Sequence, residues 1–157
     1  MDSDEIIKIF IDSQEFEKTC IENNISLFNF RYLDFNTNSN LSLQSKYPFL
    51  YYTLWNNNDL IAVIKQAVFC GYTYNNYSTN SNRTILYVSI NQLYQNLGYS
   101  KRILDKFFNF LIKENINEEI YVSPYSKMGW NFLRQNLHIY AKKYNLTLKD
   151  QNYCYEL

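Results

Sequence analysis

The chain has 157 residues, 46% of them apolar, which suits one compact domain (residues 1–157) with a substantial core. Charged residues make up 19% and the formal net charge is zero, so the overall charge marks no surface for wrapping nucleic acid. No apolar run approaches the roughly 20 residues that span a bilayer, and the start, Met1-Asp2-Ser3-Asp4-Glu5, is acidic where a secretory leader is basic.

The 16 Tyr and 11 Phe, with many Asn, Ile and Lys, fit an AT-rich coding sequence from a low-GC bacterium or a virus. Cys20, Cys70 and Cys154 are odd in number and lack a Cys-x-x-Cys spacing. They define neither a disulfide framework nor a metal site, and a reducing, cytoplasmic setting is expected. The thiols read as small structural hydrophobes.

The first stretch admits two readings. Ile6, Ile7, Phe10 and Ile11 sit at helical spacing, with Ser3, Asp4 and Glu5 as a possible opening. Residues 6–11 are also β-branched enough for a strand, with Ser13 then capping a helix that carries Phe16, Cys20 and Ile21. Residues 36–45 are polar and irregular, a loop. Phe49-Leu50-Tyr51-Tyr52-Thr53-Leu54-Trp55 and residues 60–69 read as strands joined by Asn56-Asn57-Asn58-Asp59, an antiparallel hairpin.

A second polar loop covers residues 71–83, and residues 84–90 form a third strand of this unit. Gly98 interrupts the chain, and Ser100 opens a helix. Its Ile103, Leu104, Phe107, Phe108, Leu111 and Ile112 share one face. Residues 119–123 are a short strand stopped by Pro124. Ser126 caps a long helix bearing Met128, Phe132, Leu133, Leu137, Tyr140, Ala141 and Tyr144. Leu146-Thr147-Leu148 and Tyr153-Cys154-Tyr155 close the chain as weak strands around residues 149–152.

The helix at Ser100 carries Lys101 and Arg102 in its first turn, where cations oppose the helix dipole. A bound anion would reverse that mismatch, with the first-turn N–H groups aimed at it. Gly98 allows a close backbone approach, and Gln95, Asn96 and Ser100 put polar groups around the turn. The plain alternative is a loop glycine beside solvated cations.

Element order favours the first of these readings. The chain runs β-β-β-turn-α-β-α with a terminal strand pair, and Gln95-Asn96-Leu97-Gly98-Tyr99-Ser100 matches the Arg/Gln-x-x-Gly-x-Gly/Ala turn of the GNAT acetyltransferases. About two-thirds of the chain, from the hairpin onward, resembles that superfamily. The resemblance implies an α+β fold with a mixed, mostly antiparallel sheet flanked by helices. It also implies acetyl-CoA as cosubstrate, with acetyl transfer to a primary amine by direct attack in a ternary complex. The N–H groups of Leu97, Gly98, Tyr99, Ser100 and Lys101 would hold the pyrophosphate, beside Gln95 and Asn96. Backbone groups of Ile90 and Asn91 would pair with the pantetheine arm, and the strand at residues 120–123 would splay away to admit it. Ser126 matches a position near that arm.

One departure stands out. The family commonly places a Tyr two helical turns after the Ser126 position, where it protonates the leaving thiolate; Leu133 stands there. Tyr125 and Ser123 are the substitutes at the end of the preceding strand, with Tyr99 and Tyr140 as further tyrosines. His138, the only histidine, lies off the apolar face and forms no triad spacing. Asp2, Asp4, Glu5, Glu114, Glu118 and Glu119 read as helix-end or loop charges. Trp55 and Trp130 read as core residues first and as an acceptor wall second.

By the same resemblance the acceptor lies between residues 28–48 and residues 71–83, and its chemistry is open among small amines, protein lysines and N-termini. Edge strands at the C-terminus suit a homodimer. The alternative to an enzyme is a GNAT-like module that acts by binding a protein partner. A base-stacking nucleic-acid domain and a viral assembly protein rank behind it.

Overall fold

The computed structural model describes residues 4–31, 33–35, 49–69, 82–113, 119–122, 139, 142 and 148–150. Six strands and two helices of more than one turn order these residues. They run β1 (Glu5–Phe10), α1 (Ser13–Glu22), β2 (Phe49–Asn56), β3 (Asp59–Phe69), β4 (Asn82–Ile90), α2 (Tyr99–Lys113), β5 (Glu119–Val122) and β6 (Leu148–Asp150). The strands form one sheet in the order β1-β2-β3-β4-β5-β6. The ladders from β1 to β4 are antiparallel, and β4–β5 and β5–β6 are parallel. The fold is α+β with the mixed, mostly antiparallel sheet that the resemblance implies.

The first ambiguity resolves as a strand. Glu5 pairs with Asn56 and Phe10 with Tyr51 along a full ladder with β2, which suits the β-branched isoleucines. Asp12 rather than Ser13 caps α1, its carboxylate accepting from the Gln14 N–H at 2.9 Å. The hairpin between β2 and β3 turns at Asn57, which takes φ +54°, a conformation asparagine tolerates better than most residues. β4 starts at Asn82, two residues earlier than the composition of the loop suggests. β6 includes Lys149 and Asp150, read from sequence as a turn. Of the long helix expected after Ser126, only Ile139 and Lys142 fall among the described residues, and both are helical.

Strand alternation sorts the core onto two faces. Tyr52, Leu54, Ala62 and Ile64 turn to one face and meet Ile103, Leu104, Phe107, Phe108 and Leu111 of α2. Those five helix residues share one stripe of a 3.6-residue period, whereas Ile112 falls off it and is exposed. Burying each large side chain contributes about 1.5–3 kcal/mol as an upper estimate. On the other face Tyr51, Trp55, Val63 and Tyr87 pack with Phe16 and Cys20 of α1. Trp55 is fully buried and donates its indole N–H to Thr53 Oγ1 at 2.8 Å, so it is a core residue. Burial pushes the Cys20 thiol up to about 12, which keeps it protonated and unreactive. Among the described residues no helix is long and apolar enough to cross a membrane.

Phe107 sits at the centre of the α2 face, edge-on to both Tyr52 and Phe108. Phe107→Ala is expected to cost about 3–5 kcal/mol by urea unfolding; a loss below about 1 kcal/mol would contradict this packing.

Candidate functional site

The site grows from the end of β4. Asn91 is buried, and its N–H donates to the Ile61 carbonyl at 2.7 Å. Its side-chain amide donates to the Leu60 carbonyl at 3.0 Å, and its Oδ1 accepts from the Leu93 N–H at 2.9 Å. Its carbonyl accepts from the Tyr94 N–H at 2.8 Å. These bonds stop the strand and start a single 3₁₀ turn, Gln92–Tyr94. Both backbone groups of Asn91 are therefore used within the protein.

The same bond sets the direction of the residues before it. Residues in an antiparallel ladder turn their amide groups alternately toward and away from one neighbour. With Asn91 facing β3, the register Tyr87↔Lys65 and Ser89↔Val63 also faces β3, and Val88 and Ile90 face away. On that far side the ladder with β5 spans only Asn82↔Glu119 to Ile85↔Val122. Val88 and Ile90 therefore turn their backbone groups to the side of β4 away from β3, past the end of β5 at Val122. Val88 was not singled out from sequence; its signal is the odd–even phase set by Asn91, which needs the register to be known.

The turn itself follows. Gln95 ends the 3₁₀ segment, Asn96 takes φ +63° and Gly98 takes φ +83°. Two left-handed residues so close together reverse the chain and bring it into α2. Gly98 takes the cap position, because its carbonyl accepts from the Arg102 N–H at 3.1 Å, and α2 begins at Tyr99, one residue before the expected Ser100. A Cβ built on Gly98 would meet nothing within 4 Å. The glycine is thus required by its φ and not by a close neighbour among the described residues. Gln95, Asn96, Leu97 and Lys101 are exposed, and Tyr99 and Ser100 are half-buried.

Charge around the turn differs from the plain reading of the sequence. The first turn of α2 holds no acidic residue. Glu5 provides a carboxylate from β1, and Arg102 Nη2 reaches its Oε2 at 2.7 Å. The Glu5 side chain is 2% exposed against 39% for Arg102. Glu5 is thus a buried strand carboxylate rather than a loop charge. Arg102 also lies over the Tyr99 ring, 5.6 Å from its centroid, and Tyr99 meets Tyr94 edge-on. The Tyr94 hydroxyl donates to Asp59 Oδ2 at 2.8 Å, and chiefly this bond pushes its pKa up to about 12. Tyr94 ties the turn to the β2–β3 hairpin and stays protonated.

Residues 90, 91 and 95–101 are thus brought together. Ser123, Tyr125, Ser126, Leu133, His138, Trp130 and Tyr140 lie outside the described residues, as do Cys70 and Cys154. β5 ends at Val122, directly before Ser123.

No protein-family model and no curated protein sequence matches the chain. Solved structures do. An aminoglycoside acetyltransferase, meta-AAC0020, from an uncultured soil metagenomic sample is similar in its complex with trehalose, with a TM-score of 0.53 and 16% identity over 96% of this chain and 93% of that one. Its complex with sisomicin gives 0.53 and 15% over the same shares. A possible acetyltransferase from Clostridium difficile 630 gives 0.52 and 14%, covering 98% of this chain and 97% of that one. Together with the strand order, these likenesses establish that the chain shares the fold of these acetyltransferases.

Removing the arginine of the Glu5–Arg102 pair strands a buried carboxylate. Arg102→Met is expected to cost about 2 kcal/mol in urea unfolding at neutral pH, below the roughly 3–5 kcal/mol of fully buried pairs because the arginine is partly solvated. Glu5→Gln combined with Arg102→Met should regain most of that loss. Equal losses for the single and double variants would refute the pairing.

Proposed function

We propose that the protein is an acetyl-CoA-dependent N-acetyltransferase acting on a primary amine by direct attack in a ternary complex. The observation that carries this reading is the turn at residues 95–100. It has two left-handed residues, with no close neighbour at Gly98 among the described residues, and it leads into the start of a fifteen-residue helix. First-turn N–H groups and the helix dipole favour a diphosphate at that place. The backbone of Val88 and Ile90, turned away from β3, suits an amide-bearing arm laid alongside β4 like an added strand.

The chemistry asks little of side chains. The amine nitrogen bonds to the thioester carbon, the carbon–sulfur bond breaks, and a proton leaves the nitrogen while the thiolate gains one. Holding both reactants in line supplies a large part of the rate. Under this reading Tyr125 and Ser123, next after β5, are the groups assigned to protonate the thiolate. Such a donor contributes about 10²–10⁴ in rate. Tyr94, held by Asp59, is not the donor.

Isothermal titration with acetyl-CoA tests the reading. Micromolar binding is expected, weakening sharply when pantetheine without the pyrophosphate replaces the whole cosubstrate. Gly98→Val should abolish binding at a stability cost of about 1–3 kcal/mol, with a cooperative thermal transition retained, since the new side chain meets no neighbour within 4 Å but holds φ +83° only with strain. Native affinity in Gly98→Val would sink the assignment of the turn.

A further inference from the structure

Tyr94 and Tyr99 stand immediately on either side of residues 95–98. Their rings meet edge-on with centroids 5.7 Å apart, and both pack against the core on the α2 side. The four residues between them are exposed. Two of the four, Asn96 and Gly98, are left-handed. Among the described residues no hydrogen bond reaches the N–H of Asn96, Leu97 or Gly98. A non-glycine residue holds φ +63° at a cost, so the surroundings of Asn96 must impose it.

The contact between the rings closes residues 95–98 into a loop, and each ring is held from outside that loop. The Tyr94 hydroxyl donates to Oδ2 of Asp59, the first residue of β3, at 2.8 Å. Tyr99 carries Arg102 over its face, 5.6 Å from the centroid, and Arg102 reaches Glu5, the first residue of β1, at 2.7 Å. Contacts therefore run without a gap from Asp59 through Tyr94, Tyr99 and Arg102 to Glu5. Both ends of this series lie in one row of the sheet, because Glu5 and Asp59 are each paired with Asn56 of β2. The ends of the turn are fixed to the sheet by side chains, while its exposed middle is fixed only through those ends.

We infer that Tyr94 and Tyr99, with Asp59 behind Tyr94, are positioning residues for the turn: before any ligand arrives they hold its backbone in the conformation that presents N–H groups to a diphosphate. The inference rests on the diphosphate role given to the turn above. None of the three side chains needs to touch the ligand. Their effect is on ordering, since a turn already shaped loses little freedom on binding and a loose one loses more. The sign of one substitution separates this effect from charge. A carboxylate one side chain away from an anion site opposes the anion, so removal of the Asp59 charge alone would strengthen binding. Removal of Asp59 as a positioning residue weakens it.

The experiment uses the full chain at a temperature well below its thermal transition. Acetyl-CoA and inorganic pyrophosphate are titrated calorimetrically, and the heteronuclear NOE of the Asn96, Leu97 and Gly98 amides is read on isotope-labelled protein without ligand. Tyr94→Leu should weaken binding of both ligands about tenfold, the order expected when one or two turn residues must be ordered on binding, and should lower all three NOE values. Tyr94→Phe keeps the ring contact and loses only the hydroxyl bond, so it should weaken binding about threefold. Asp59→Ala should weaken binding to a like extent. Asp59→Asn removes the same charge but still accepts from the hydroxyl, and should recover most of that loss. Rings that serve packing alone would lower the transition temperature and leave affinity and NOE at parent values. Native affinity in folded Tyr94→Leu and Tyr94→Phe, or Asp59→Ala binding as well as Asp59→Asn or better, overturns the inference and leaves the diphosphate reading standing. A parent chain that binds pyrophosphate but not acetyl-CoA removes acetyl transfer alone, and the pyrophosphate series then decides the positioning role. A parent chain that binds neither removes both.

Discussion

Asn91 is the residue on which the geometry around β4 depends. Its four hydrogen bonds join the end of β4 to β3, close the 3₁₀ turn and leave the chain aimed at Asn96 and Gly98. A buried amide side chain costs free energy unless its donors and acceptor are met. Here the donor bonds across the sheet and the acceptor bonds along the chain. That pairing fixes the phase of the ladder, and the phase decides that the backbone groups of Val88 and Ile90 face away from β3 while those of Tyr87 and Ser89 face it. A slip of one residue would exchange the two sets.

Two ion pairs brace the molecule around that strand, and they share a design. In each, one partner is almost wholly buried and the other is partly solvated: Glu5 with Arg102 on the α2 side, Lys65 with Asp34 on the α1 side. Fully buried pairs often cost as much in desolvation as they return in attraction. Leaving one partner at the surface lowers that cost while still compensating the buried charge. Both pairs also join elements distant in the chain. Glu5 links β1 to the start of α2, and Lys65 links β3 to Asp34.

The sequence was most legible where period and local chemistry agree. The stripe from Ile103 to Leu111 and the Asn-rich hairpin turn at Asn57 are local signals, and both elements form where those signals point. The six-residue turn at Gln95 was legible because left-handed backbone favours glycine and asparagine, whatever the surrounding fold. Glu5, Lys65 and Asp34 were not. Glu5 reads as a terminal charge until β1 is paired with β2, and nothing near Asp34 marks it as the partner of a lysine 31 residues away. Such pairings depend on which residues share a sheet face and in what register, and those are tertiary facts. The direction of the Asn91 amide was not legible for a subtler reason: it follows from a hydrogen bond to Ile61 across the sheet.

The contrast between the two sides of β4 bears on how a fold is kept at 14–16% identity to its structural neighbours. An anion site made from backbone N–H groups needs a helix start, one glycine and one residue that tolerates the left-handed region. Most other positions of such a turn can vary, provided the helix still packs through its apolar stripe. The opposite face works differently. There Arg31 and Asp34 are held by side chains, Tyr51, Lys65, Tyr87 and Ser89, each specific in length and chemistry. Variation in those four residues would move the segment that carries Asp34. Backbone bonds on one side and side-chain bonds on the other let the second face diverge while the fold persists.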